Sequence, residues 1–280
     1  MPADFLAVGH VVKDITPGGW RLGGSVAYAV RQAHLLGLRT AAVTVCSPDV
    51  SPAEALPETV WHVLPDVQTT TFENVYRDGV RRQRVVQCAR PIGAAQVPRA
   101  WISAPIVLIA PVFHDVEVNA GAAFPEASLV GLSCQGWLRR LRGSDVLPGE
   151  VDSVAPWLIG DIVFVSEEDV TEPEAVASWL AYVPVVVLTR GARGFTVFDD
   201  DGRHEFAALP AREVDPTGAG DVFAAAFLVR WRETGGDLAQ TARFAAAAAA
   251  LSVQGVGLEG IARREQIEAL LAAGAAGRAS

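Results

Sequence analysis

Six short apolar runs recur along this chain and constrain its fold more than any other feature: Phe5–Val8, Thr40–Val45, Ile106–Ala110, Leu129–Leu132, Ile162–Val165 and Val185–Leu188. They are apolar throughout rather than alternating, which is the pattern of strands buried on both faces. Between most of them lie segments with helical apolar spacing, among them 25–36, 172–180 and 222–232. Parallel strands need crossover connections, so the alternation predicts an α/β fold in which helices cover both faces of a mostly parallel sheet. Ligands of such sheets bind at the carboxyl ends of the strands. With 50% hydrophobic residues, the 280-residue chain is read as one domain, 1–280, with a large core.

One region departs from this pattern. The β-forming stretches 69–76 and 80–86 flank Arg77-Asp78-Gly79, and Asp-Gly between β-formers is a strong hairpin signal. A hairpin over about 69–87 is expected as a small β lid, with an edge hairpin of the main sheet as the alternative.

Composition narrows the function. A net charge of −9 excludes nucleic acid or an anionic membrane surface as the main partner. Cys46, Cys88 and Cys134 lie far apart without metal-ligand spacing, so reduced thiols in a cytoplasmic protein are expected and zinc is not. The N-terminus has no basic segment ahead of an apolar one, so no signal peptide is expected. The Ala-dominated run 244–253 is too short to span a bilayer.

The chemistry concentrates in Val214-Asp215-Pro216-Thr217-Gly218-Ala219-Gly220-Asp221-Val222-Phe223. Small residues between an extended stretch and a helix let backbone N–H groups approach an anion, which a helix N-terminus favours. Asp221 at the helix start then stands beside a bound phosphoryl group, where a carboxylate can take the proton of an attacking hydroxyl. No Gly-Lys-Ser/Thr follows, so this is not a Walker A loop. The plainer alternative is a Gly-rich loop with Asp221 as an N-cap. Near the N-terminus, Asp14 follows the first strand and Gly23-Gly24 opens a helix. A carboxylate accepts from vicinal hydroxyls and glycines admit backbone amides, so this pair suits a polyhydroxy acceptor.

The D-P-T-G-A-G-D-x-F run resembles the C-terminal signature of the ribokinase-like (PfkB) family of sugar, polyol and nucleoside kinases. The resemblance implies a three-layer α/β/α fold with a β lid, an anion hole at Gly218, Ala219 and Gly220, and Asp221 as catalytic base. It also implies contact of Asp14, Gly23 and Gly24 with the acceptor, and a monomer or a homodimer joined through the lid. Tyr28 stands where ribokinases proper carry an Asn, which implies a pocket reshaped away from ribose. Ser166 and Asp169 occupy the place of the family's N-x-x-E motif and would organise Mg2+ through water. Thr189 and Gly191 lie in a segment similar to the T-x-G-x-x-G turn beneath the nucleotide, with Arg190 or Arg193 either on a phosphate or in solvent. Ala246 belongs to the Ala-rich helix that flanks the adenine of ATP. Asp215 and Thr217, facing Ser252, Gly255, Gly257 and Ile261, match the family's monovalent-cation loop, which implies K+ as a further cofactor.

Within the family, Thr70-Thr71-Phe72-Glu73, Cys88-Ala89-Arg90-Pro91-Ile92, the aromatic Tyr28 and Gln135 followed by Leu138-Arg139 resemble myo-inositol kinases, although Ser133 replaces an Asp of that branch. Gln135 and Arg84 are therefore expected on the acceptor. The implied activity is transfer of the γ-phosphoryl group of ATP to a small polyol or sugar, with myo-inositol favoured. Another sugar or a nucleoside as acceptor, or a nucleotide-binding pseudokinase, are the alternatives. A dinucleotide dehydrogenase is disfavoured because Gly9-His10-Val11, not G-x-G-x-x-G, follows the first strand.

Overall fold

A computed structural model describes residues 3–77, 80–154 and 157–276. The Asp78-Gly79 turn expected at the hairpin tip lies outside the described residues. In chain order the elements are β1 (Phe5–Val8), β2 (Val12–Thr16), β3 (Gly19–Gly23), α1 (Ser25–Leu35), β4 (Thr40–Cys46), α2 (Pro52–Ala55), β5 (Thr59–Pro65), β6 (Thr71–Arg77) and β7 (Val80–Gln87). There follow β8 (Ile106–Ile109), β9 (Leu129–Ser133), α3 (Gln135–Leu138), β10 (Arg140–Arg142), β11 (Asp145–Leu147), β12 (Ile162–Ser166), β13 (Val185–Thr189), β14 (Phe195–Asp199) and β15 (Gly202–Phe206). The chain ends in α4 (Ala219–Thr234), α5 (Leu238–Ser252) and α6 (Arg264–Ala276).

Among the described residues the main sheet has nine strands in the order β15-β14-β13-β12-β9-β8-β1-β4-β5. The pairings from β5 to β13 are parallel, and β14 and β15 add an antiparallel edge. Successive residues of β1 serve opposite faces, as the two-residue period of a strand requires. Phe5 and Ala7 join the layer of α1, α4 and α5, while Leu6 and Val8 join the other side with Trp137 and Trp179. That second layer is thinner than expected. The segment read as a helix over 172–180 is instead a 3₁₀ run, Pro173–Ala181. Its buried residues, Val176 and Trp179, lie three apart, which aligns them on one side of a three-per-turn helix.

The lid is larger than one hairpin. A second sheet runs β10-β11-β7-β6-β2-β3, so the hairpin β6–β7 is flanked by β11 on one side and by β2 on the other. β2 and β3 are too short and too close to a Pro-Gly-Gly turn to stand out in the sequence.

Buried His10, between β1 and β2, clamps the roots of this lid. Its Nε2 meets the Arg90 carbonyl at 3.0 Å and its Nδ1 meets Thr70 Oγ1 at 2.8 Å. A carbonyl only accepts, so Nε2 carries the hydrogen and the Thr70 hydroxyl donates to Nδ1. Thr70 Oγ1 in turn accepts from Ala89 N at 3.0 Å, and the His10 amide donates to buried Asp115 at 2.9 Å.

Candidate active site

The turn before α4 ends on Gly218, which caps the helix with φ 77° in the left-handed region that favours glycine. No other residue fits, because a Cβ here would run into the ring of Tyr28. Asp221 in the first helical turn is part-buried, and desolvation pushes its carboxyl up to about 6. A hydrogen bond from Ser25 and the charge of Arg139 oppose that rise, while the neighbouring charge of Asp169 adds to it. A base with this affinity is mostly ionised at neutral pH yet still binds a proton well.

A chain of polar contacts runs from Asp221 to the lid. Ser25 Oγ accepts from Gln135 Nε2 at 2.9 Å, and Gln135 Oε1 accepts from Arg139 at 3.0 Å. Arg139 also donates to the Val112 carbonyl at 2.8 Å, and its guanidinium lies 5.7 Å from the centre of the Phe72 ring in β6. The sequence reading gave Ser25 no role and noted Arg139 only as a mark of resemblance. The first looks like an ordinary residue at a helix start and the second like one cation in a surface Arg-Arg pair.

Of the residues expected at the acceptor, Asp14 is buried, and its Oδ2 occupies the space a Gly23 side chain would need. Asp14, Arg21, Leu22 and Tyr28 line one side of a cleft of about 370 Å³, closed on the other by Val256, Gly257, Leu258 and Glu259. Burial raises the Tyr28 phenol well above its ordinary range, and the carboxylates of Asp14, Asp215 and Asp221 add to this. Its hydroxyl therefore remains a hydrogen donor among three acids.

Arg84 is a correction. Phe72 pairs with Asp14 and with Val85, so these share one face of the lid, whereas Arg84 pairs with Glu73 on the opposite face. There it bonds Glu73 at 3.1 Å and Ser144 at 2.9 Å, with Asp145 at 3.7 Å, and it does not reach the acceptor cleft.

Donor-side residues are partly gathered. Asp169 folds back on its own turn, with Oδ2 accepting from Ser166 N at 3.2 Å. Burial raises its carboxyl, against the charge of Arg139. Among the described residues no three His, Cys, Asp or Glu side chains form a metal cluster. One acid beside substrate phosphates nevertheless suits Mg2+, which keeps several waters. Thr189 Oγ1 donates to the Val165 carbonyl at 3.3 Å, and Gly191 is exposed at the end of β13. Arg190 is held by Glu174 and Thr196, and Arg193 by Glu167, so both arginines have acidic partners. Ala246 lies within the core of the α4–α5 layer, and only 9% of it is exposed.

The residues expected to cage K+ come together but do not form an open set of oxygens. Asp215 accepts from Thr217 N at 3.0 Å and from Gly257 N at 3.2 Å, and Arg21 lies 3.6 Å away. Ser252 turns its hydroxyl to the Ala249 carbonyl at 2.9 Å, and its own carbonyl accepts from Gly255 N at 3.3 Å. The Asp215 carboxylate, the one charged group of the expected cage, is thus already met by two amides and a guanidinium.

Residues 161–262 match the pfkB family of carbohydrate kinases. A cytidine kinase of Thermococcus kodakarensis is 26% identical over 255 residues, covering 80% of this chain and 87% of that protein. A solved pyrophosphate-dependent kinase in the ribokinase family, complexed with a pyrophosphate analog and myo-inositol, aligns with 95% of this chain and 99% of its own at a TM-score of 0.77 and 22% identity. Arabidopsis thaliana ribokinase, complexed with ribose and ATP, aligns with 97% of this chain and 99% of its own at a TM-score of 0.70 and 21% identity.

Proposed function

We propose, for a chain whose residues 161–262 belong to the pfkB family of carbohydrate kinases and whose fold is that of the ribokinase family, that it transfers the γ-phosphoryl group of ATP to a hydroxyl of a small neutral polyol or sugar, with myo-inositol favoured. The observation that carries this reading is Asp221: a part-buried carboxylate, pushed up to about 6, in the first turn of a helix that a left-handed glycine opens.

In this reading Asp14 accepts from two neighbouring hydroxyls of the acceptor and Tyr28 donates to another, holding the attacking hydroxyl in line. Asp221 takes the proton of the attacking hydroxyl, while Ser25 and Arg139 keep the carboxylate ionised and aimed. The amides of the 218–220 turn and the start of α4 stabilise charge on the transferred group. Asp169, with donor phosphates and water, would hold Mg2+, which when bound neutralises phosphate charge. Phe72 and the lid exclude water from the cleft. We read the protein as cytoplasmic, in keeping with its free cysteines, and as a monomer or a lid-joined dimer. No helix among the described residues is long and apolar enough to cross a membrane.

Two features of the relatives define the competing arms of the test. The cytidine kinase likeness spans most of the chain and favours a nucleoside as the second choice of acceptor. The likeness to a pyrophosphate-dependent kinase makes pyrophosphate the donor to set against ATP. Purified protein with Mg2+ and either donor should be offered myo-inositol, ribose, fructose, fructose 6-phosphate, cytidine and adenosine, and kcat/KM measured for each. The highest value is expected for ATP with myo-inositol. A preference for cytidine, the phosphosugar or pyrophosphate would replace that part of the assignment. No acceptor-dependent turnover with either donor would overturn it.

A further inference from the structure

A guanidinium lies beside the carboxylate that was expected to help hold a monovalent ion. Arg21 lies on β3 directly across the ladder from Asp14 on β2, and its Nη1 reaches to 3.6 Å from Asp215 Oδ2. The same oxygen accepts from the Gly257 amide at 3.2 Å, and Arg21 passes over Gly257 itself. The strap ahead of the anion turn is tied by its backbone to the residue that follows α5, where Val214 N and Asp215 N donate to the Val253 carbonyl at 2.7 and 3.1 Å. The 252–261 loop is also closed on itself: a Cβ on Gly255 would meet the Cα of Gly260, and one on Gly260 would meet the Ser252 carbonyl.

We infer that Arg21 does at Asp215 the electrostatic work of a bound monovalent cation, bracing the strap 214–217 and the loop at Gly257 from the lid sheet. Asp215 faces Tyr28 and Arg21, and it stands six residues before Asp221 in the same turn. A negative charge left uncompensated there would oppose the anion that the 218–220 turn is read as binding. Arg21 is a positioning residue in this arrangement, because it acts through Asp215. It also ties the acceptor hairpin, which carries Asp14, to the donor turn. The inference rests on the phosphoryl-transfer reading of that turn.

The experiment compares wild type, Arg21→Met, Asp215→Asn and the double variant in potassium chloride and in tetramethylammonium chloride at equal ionic strength, reading kcat and Tm. Wild type should give the same kcat and Tm in both salts. Arg21→Met should lose activity several-fold in tetramethylammonium and regain part of it, with a rise in Tm, only in potassium. The double variant should be no worse than Asp215→Asn alone, because without the carboxylate the guanidinium has nothing to neutralise. Wild type activated several-fold by potassium would overturn the inference. So would Arg21→Met with full activity in tetramethylammonium, or an effect of Arg21→Met that persists undiminished on top of Asp215→Asn. The Tm arms need no turnover, so they decide this point even if the kinase reading fails.

Discussion

The ring of Tyr28 lies against Gly218, in the space that a side chain on Gly218 would fill. Through this contact α1, whose Tyr28 lines the cleft, touches the turn that opens α4. Gly218→Ala should therefore fail twice. The left-handed conformation costs a residue with a Cβ about 1–2 kcal/mol, and the methyl must displace a buried ring. Misaligned anion-hole amides should lower kcat by about 10²–10³-fold. Steady-state kinetics and thermal unfolding check both effects, and an unchanged kcat would remove the turn from the chemistry.

Asp221→Asn should lower kcat by about 10²–10⁴-fold, the usual contribution of a general base. Wild-type kcat/KM should fall on the acid side with a midpoint near the carboxyl value of about 6. Stability should move the other way. The folded value lies above the ordinary 3.8, so the native protein binds the extra proton between the two and loses stability as pH rises through about 6. The neutral Asn lacks that cost, so the variant should gain Tm over wild type at pH 8, keep about half of that advantage at pH 5 and lose it only below the ordinary 3.8. The gain is bounded by about 3 kcal/mol, at 1.36 kcal/mol per unit. Equal differences at both pH values would contradict the buried carboxylate.

Arg139→Met removes the cation that holds the Asp221 carboxyl down and the partner of the Phe72 ring. Its acid limb should shift above 6, and KM for the acceptor should rise more than KM for the donor. Arg139→Lys should restore most of the limb but not the bonds to Val112 and Gln135, because a point charge lacks the planar fork. A pH profile identical to wild type in the Met variant would assign Arg139 a purely structural role.

His10 gives the lid a pH limit of its own. Burial lowers its imidazole below the usual 6.5, so below that pH the unfolded chain takes up a proton that the native clamp refuses. Its contribution to stability is thus present above 6.5 and declines as pH falls toward the folded value. His10→Ala should abolish that component of the Tm profile. It should also destabilise the protein by about 1–3 kcal/mol through groups left without a partner at Thr70 and Arg90. Proteolysis within 69–90 should quicken in parallel. A variant with the wild-type pH dependence of Tm would exclude His10 as its source.

The sequence by itself determined the six parallel strands β1, β4, β8, β9, β12 and β13 and the helices α1, α4 and α5, because doubly buried strands and amphipathic helices write their periods into neighbouring residues, whereas the half-exposed edge strand β5 left no such run. It also marked Gly218–Asp221, Asp14 and Gly23-Gly24, whose chemistry depends on local turns that a few adjacent residues build. Only the tertiary structure decided the rest. Arg84 faces away from the cleft because of the alternation of a lid strand, and one residue of register reverses such an assignment. Ser25 and Arg139 come to Asp221 from segments more than a hundred residues apart and are joined through Gln135, a contact no local pattern encodes. The same holds for Arg21, a surface-looking cation on a five-residue strand. Folding brings it to Asp215, where its charge meets a carboxylate that the sequence alone had paired with a metal ion.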